Sequence, residues 1–70
     1  MVSFGQSASE FNSRGYDKHN LKDYYGAIAD YTKAIELNPD YALAYNNRGY
    51  AKDNLKDYYG AISDYSKAIE

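Results

Sequence analysis

The nine residues Asn20-Leu-Lys-Asp-Tyr-Tyr-Gly-Ala-Ile28 occur a second time, unchanged, as Asn54–Ile62, a shift of 34 positions. Superposed at that shift, Ala8–Glu36 and Ala42–Glu70 agree at 21 of 29 positions. A fixed period in this range specifies stacked supersecondary units, each of which buries its apolar side on a neighbour. Such units present surfaces rather than enclosed reaction chambers, so the repeat constrains function before any single residue does.

The chain has 70 residues, a size at which a lone hydrophobic core is marginal. No cysteine is present to supply a disulfide or a thiolate metal site, and self-association is the expected source of added stability. A net charge of −2 argues against a nucleic-acid partner or an anionic membrane, since both call for a dense basic patch. The leading Met1–Ser7 has neither the positive region nor the apolar core of a secretory signal, and no apolar run approaches the roughly 20 residues of a membrane span. A soluble, cytoplasmic protein is the expectation.

Apolar periodicity and capping signals predict four helices. Ser7-Ala-Ser-Glu10 has the spacing of a capping box, in which the serine hydroxyl accepts an orphan amide and the glutamate reaches back. A helix over about 8–20 follows. Asp23 is placed to cap a second over about 24–37, in which Tyr24, Ala27, Ile28, Tyr31, Ala34 and Ile35 share one face. Asn38-Pro39-Asp40 stops it, because proline disfavours helix in the residue before it. Asp40 is then expected to cap a third helix over about 41–54, and Asp57 a fourth over about 58–70. Gly26 and Gly60 lie early in the second and fourth helices, where each costs up to about 1 kcal/mol relative to alanine. A close approach between helices is the expected reason. The fold class is thus all-α, two antiparallel helix-turn-helix units. Residues 1–7 form a leader, 8–41 the first repeat and 42–70 a second, which stops before any counterpart of Leu37-Asn-Pro39 and is read as cut from, or designed after, a longer array.

A helix-turn-helix period of 34 residues, with small residues at Gly15, Ala27 and Ala34, again at Gly49, Ala61 and Ala68, and a proline at Pro39, resembles the tetratricopeptide repeat (TPR) family in its bacterial form. Tyr24, Tyr31, Tyr58 and Tyr65 fall where that family carries aromatic residues. The resemblance covers about nine tenths of the chain and implies an α-solenoid fragment, a right-handed stack whose first helices line a concave groove that binds peptides or proteins. Three positions depart from the pattern. Phe11 and Tyr45 replace a tryptophan, Arg14 and Arg48 a leucine, and Lys18 and Lys52 an aromatic residue, which lowers apolar burial in the first and third helices.

The two units also differ from each other. Glu10, Ser13 and Asp17 form a stripe on the first helix where the third has Ala44, Asn47 and Ala51. The acidic stripe reads as a solvent-facing cap, since end repeats must expose a polar side. At the opposite end Ile62, Tyr65 and Ile69 are expected to lack cover and to form a self-association surface.

The TPR resemblance implies that the groove carries Asn12, Tyr16, His19 and Asn20 from the first helix, with Leu43, Asn46, Tyr50, Asp53 and Asn54 from the third. Asparagine amides suit an extended peptide backbone, and tyrosine adds a flat area with a polar tip. Some family members clamp a C-terminal carboxylate. Asn47 fits that pattern, but Asn12 and Tyr16 stand where a lysine and an asparagine are needed. His19 lies near Asp23 or Asp53 at most, well short of a closed metal set. No nucleophile–base arrangement, phosphate loop or carboxylate pair is present, so neither enzymatic activity nor a cofactor is expected. The expected partner is a protein or peptide held in the groove. The alternative is a minimal repeat whose main behaviour is self-assembly, with a dimer favoured.

Overall fold

The computed structural model describes residues 6–70, so the leader assigned to 1–7 falls largely outside it. Four helices make up the rest: α1 (Ala8–Asn20), α2 (Tyr24–Leu37), α3 (Ala42–Asn54) and α4 (Tyr58–Ala68). Helix α1 packs on α2, α3 on α4, and α2 on α3, with a lighter contact between α1 and α3. This is the all-α pair of helix hairpins that the period requires. No helix among the described residues is long and apolar enough to cross a membrane.

Local chemistry sets the helix ends. Ser7 and Glu10 form the reciprocal capping box: Ser7 N–H donates to Glu10 Oε1 at 2.9 Å, and Glu10 N–H to Ser7 Oγ at 3.1 Å. Asp23 and Asp57 accept from the amides of Gly26 and Gly60 and so cap α2 and α4. The same contacts correct the expectation for these glycines. A Cβ on Gly26 or Gly60 would meet the carboxylate of Asp23 or Asp57, so the missing side chain makes room for the cap rather than for another helix. Asp40 does not cap α3. The N-cap is Tyr41, which makes no side-chain bond, and the Asp40 amide instead donates to Asn38 Oδ1 within the turn.

Both hairpins turn through a lysine in the left-handed region, Lys22 at φ 65° and Lys56 at φ 66°. In each, the amide of the following aspartate reaches back to the Lys18 or Lys52 carbonyl, and the lysine amide to the His19 or Asp53 carbonyl. This paired closure is the Schellman ending, which usually places glycine at the left-handed residue.

The core is built from small residues. Ala27, Ala34, Ala44, Ala51 and Ala61 are buried, and Tyr31, at 1% exposure, is the largest side chain wholly removed from solvent. Tyr31 lies against Gly15, where a Cβ would come within 2.6 Å of its ring. Ala51 of α3 completes this cluster with Ala27 and Tyr31, so the second repeat docks on the first through alanine. Burial pushes the Tyr31 phenol up to about 12, helped by the negative charge that Tyr16 and Asp17 can carry nearby.

The cations that replace the usual apolar residues of α1 and α3 are held by buried acids. Arg48 donates to both oxygens of Asp64 at 2.9 and 2.8 Å, and Lys52 lies 3.1 Å from the same carboxylate. A third donor on Arg48 crosses to Thr32 Oγ1 of the first repeat at 3.1 Å. Burial alone would raise the Asp64 carboxyl; hydrogen bonds from Arg48 and Lys52 outweigh it and hold the group below its ordinary value. Arg14, Lys18 and Asp30 repeat the motif more loosely, with Lys18 at 2.9 Å and Arg14 at 3.9 Å. Each arginine also lies over an aromatic ring of its own helix, Arg14 over Phe11 and Arg48 over Tyr45.

The two ends of the stack are unlike. Ala44 and Ala51 are buried in α3, whereas their α1 counterparts, Glu10 and Asp17, are exposed together with Ser13. At the other end Ile62 is 61% and Ile69 87% exposed, although Ile28 and Ile35 at the same repeat positions are partly covered. Tyr65 departs from the expectation of a bare residue. Its ring edge rests on Gly49, where a Cβ would approach to 2.9 Å, and it is partly covered.

Candidate functional site

Helices α1 and α3 lie side by side, and the residues assigned to a groove fall into two groups. Tyr16, Asn20, Leu43, Asn46, Tyr50, Asp53 and Asn54 are exposed, with Tyr16 and Tyr50 each 56% accessible. Asn12 and His19 are not free in this way. Asn12 is 7% exposed, and its Oδ1 accepts from Asn47 Nδ2 at 3.1 Å. Its oxygen ties the two helices together.

His19 bridges the repeats through its ring. It stacks on Tyr50 with centroids 4.8 Å apart and meets the edge of Tyr24 at 5.0 Å. Desolvation in that sandwich moves its imidazole below the ordinary histidine value. Asp23 does not join His19 in a metal site, because its carboxylate caps α2. Among the described residues no group of three or more histidines and acids is gathered to hold a metal ion. Asn54 is turned inward on its own helix, donating to the Tyr50 carbonyl at 2.9 Å.

A hollow of about 370 Å³ opens on this face, lined by Asn12, Ser13, Tyr16 and Asp17 from α1 and by Leu43 and Asn47 from α3. Three of the six residues, Asn12, Tyr16 and Leu43, belong to the expected groove, and Ser13, Asp17 and Asn47 extend it. Periodicity assigned those three to the end stripe and the inter-repeat contact. Their part in the hollow depends on how α1 and α3 come together, which repeat spacing along one helix does not reveal. A second hollow, about 430 Å³, lies between the Pro39–Asp40 turn and the end of α4, walled partly by Lys67 and Glu70, which pair with each other at 3.2 Å.

Comparison with known protein families matches residues 15–56 to the TPR repeat. No curated protein matches the chain. The matched span covers more than half of the sequence, from the glycine of α1 to the left-handed lysine after α3. Repeats of this kind are protein–protein interaction modules and typically non-catalytic scaffolds.

Proposed function

Because the chain belongs to the TPR repeat family, we propose that its α1–α3 face receives an extended peptide or protein segment. The Asn12–Asn47 pair carries this reading. Asn12 spends its oxygen and Asn47 its amide on each other, so among the described residues the Asn12 amide and the Asn47 carbonyl oxygen have no hydrogen-bond partner. Both line the hollow. One peptide unit of a bound strand can satisfy both, its carbonyl accepting from Asn12 and its N–H donating to Asn47. Tyr16, Tyr50 and Leu43 supply apolar area beside the pair, and the His19 stack holds the Tyr50 ring in place before binding, which lowers the entropy lost on association.

Selection from a displayed peptide library, followed by fluorescence polarisation of the winners, tests the assignment. Asn46→Ala with Tyr50→Ala weakens binding by about tenfold or more while helicity is retained. A selected peptide that binds the double variant unchanged would place recognition on another surface.

The bare isoleucines favour a second reading, self-association through α4. Ile62 and Ile69 lie on the α4 face that corresponds to the α2 face covered by α3. A symmetric dimer through this face buries them without involving the acidic α1 stripe. Light scattering across concentration checks it, with Ile62→Asp returning the mass to that of a monomer. A wild-type chain that stays monomeric at high concentration removes this reading.

A further inference from the structure

On α1 and α3 the charges divide unevenly, while Lys22 and Lys56, in the turns that follow these helices, form no ion pair among the described residues. The cations of α1 and α3 face buried acids, Lys18 and more distantly Arg14 on Asp30, Arg48 and Lys52 on Asp64, and Arg14 also donates to Gln6 Oε1. Lys33 and Lys67 pair with Glu36 and Glu70. Of the acids, Asp23 and Asp57 cap α2 and α4, and Glu10 closes the capping box of α1. Asp17, Asp40 and Asp53 remain without an ion-pair or hydrogen-bond partner among the described residues, and two of these belong to the peptide-facing helices.

Each of those two stands beside an exposed tyrosine. Asp17 lines the hollow with Tyr16, and Asp53 follows Tyr50 by three residues, one turn along the same side of α3. A tyrosine face next to an unpaired carboxylate suits one chemical group, an alkylammonium or guanidinium. The ring quadrupole and the anion attract it together, and its aliphatic stem covers the ring. The lysines and arginines within α1 and α3 face Asp30 and Asp64 instead, and Lys56, three residues past Asp53, forms no ion pair with it among the described residues.

We infer that the groove selects an extended segment bearing lysine or arginine, its backbone on the Asn12–Asn47 pair and its cations on the Tyr16–Asp17 and Tyr50–Asp53 pairs. The inference rests on the groove reading above and adds the charge of the occupant. It runs opposite to a carboxylate clamp, which places the cations on the groove.

Amide NMR titration of the full chain tests it with three blocked peptides, Gly-Ala-Arg-Ala-Arg-Gly and its twins carrying glutamine or glutamate in place of arginine. The arginine peptide shifts the amides around Tyr16, Asp17, Tyr50 and Asp53 and binds about fivefold more tightly than the glutamine twin, with the glutamate twin weakest. Asp17→Asn with Asp53→Asn brings the arginine and glutamine peptides to parity. Both sites are exposed, and circular dichroism of the double variant verifies that its fold is kept. A glutamine or glutamate twin that binds the groove as well as the arginine peptide overturns the charge inference and leaves the groove reading standing. Arginine-peptide shifts confined to the Asp40 turn, or to Glu36 and Glu70, overturn the site itself. Added salt at about 0.5 M weakens the arginine peptide selectively, since exposed pairs are screened.

Discussion

Gly15 and Gly49 occupy the same place in the repeat but are not equally replaceable. An alanine at Gly15 would put its methyl 2.6 Å from the wholly buried Tyr31 ring and 3.1 Å from the Ala27 carbonyl, neither of which has room to move. Overpacking of this kind costs about 1–3 kcal/mol, more than the roughly 1 kcal/mol that alanine returns in helix propensity. At Gly49 the contact is 2.9 Å, with a Tyr65 ring that is only partly covered and can swing outward. Gly15→Ala therefore lowers the thermal midpoint, and Gly49→Ala lowers it much less; equal shifts would show that Tyr31 is as free to move as Tyr65. Lys22 and Lys56 invite the opposite change. A side chain at φ near 65° is strained against its own backbone, so glycine at either position stabilises by roughly 0.5–1 kcal/mol, read from the urea midpoint. The small residues were legible in the sequence as positions, but their reasons were not uniform. Gly15 follows from helix contact, whereas Gly26 serves a carboxylate cap, and a sequence alone does not distinguish a tyrosine ring from an aspartate as the neighbour that excludes a Cβ.

Between elements, the ion networks decide how α1 grips α2 and α3 grips α4. Measured against the family pattern, the arginines and lysines of α1 and α3 are losses of apolar burial. The structure shows each set meeting an acid on the partner helix at the same repeat spacing, Arg14 and Lys18 with Asp30, Arg48 and Lys52 with Asp64. The recurrence of all three residues at 34 positions was visible in the sequence; that their side chains converge was not, because it depends on the crossing of two helices. Asp64 has much the closer arginine, at 2.8 Å against 3.9 Å for Asp30, and is the one expected to matter more. Asp64→Asn retains an acceptor but removes the charge facing two cations, at a cost of about 1–3 kcal/mol. Its pH dependence identifies the cause. The folded carboxyl titrates below the unfolded value of 3.8, so its contribution is complete above that value and fades as pH falls through the folded one. Thermal melts from neutral to about pH 3 show a steeper acid loss in the wild type than in Asp64→Asn. Identical acid slopes would mean that the carboxylate is not stabilised by its partners.

At the scale of the whole molecule the outward faces of α1 and α4 differ in chemistry. The α2–α3 interface is an internal example of how one repeat receives the next, with Ala44 and Ala51 seated in α3 and Arg48 crossing to Thr32. The α4 face repeats the receiving side, with Ile62, Ile69 and the Ser66 hydroxyl in the places of Ile28, Ile35 and Thr32. The α1 face repeats the docking side except that Glu10 and Asp17 stand where the buried alanines stand in α3. Head-to-tail stacking of two copies would bury two carboxylates without a cation on the receiving face, a cost of several kcal/mol that one small helix contact does not return. The acidic stripe and its two alanine counterparts were legible from the repeat alignment, since both lie along one helix; the partial cover of Tyr65 was not, because it arises from the facing glycine. Glu10→Ala with Asp17→Ala should restore the docking side and convert the chain into a head-to-tail stacker. An unclosed heterologous contact grows, so the mass by light scattering rises continuously with concentration instead of levelling at a dimer. Adding Ile62→Asp to that variant should reverse the growth, because it plants a charge on the receiving face. If the alanine variant keeps the mass of the wild type, the two carboxylates are not what prevents stacking, and the offset between repeats must differ from that between α2 and α3.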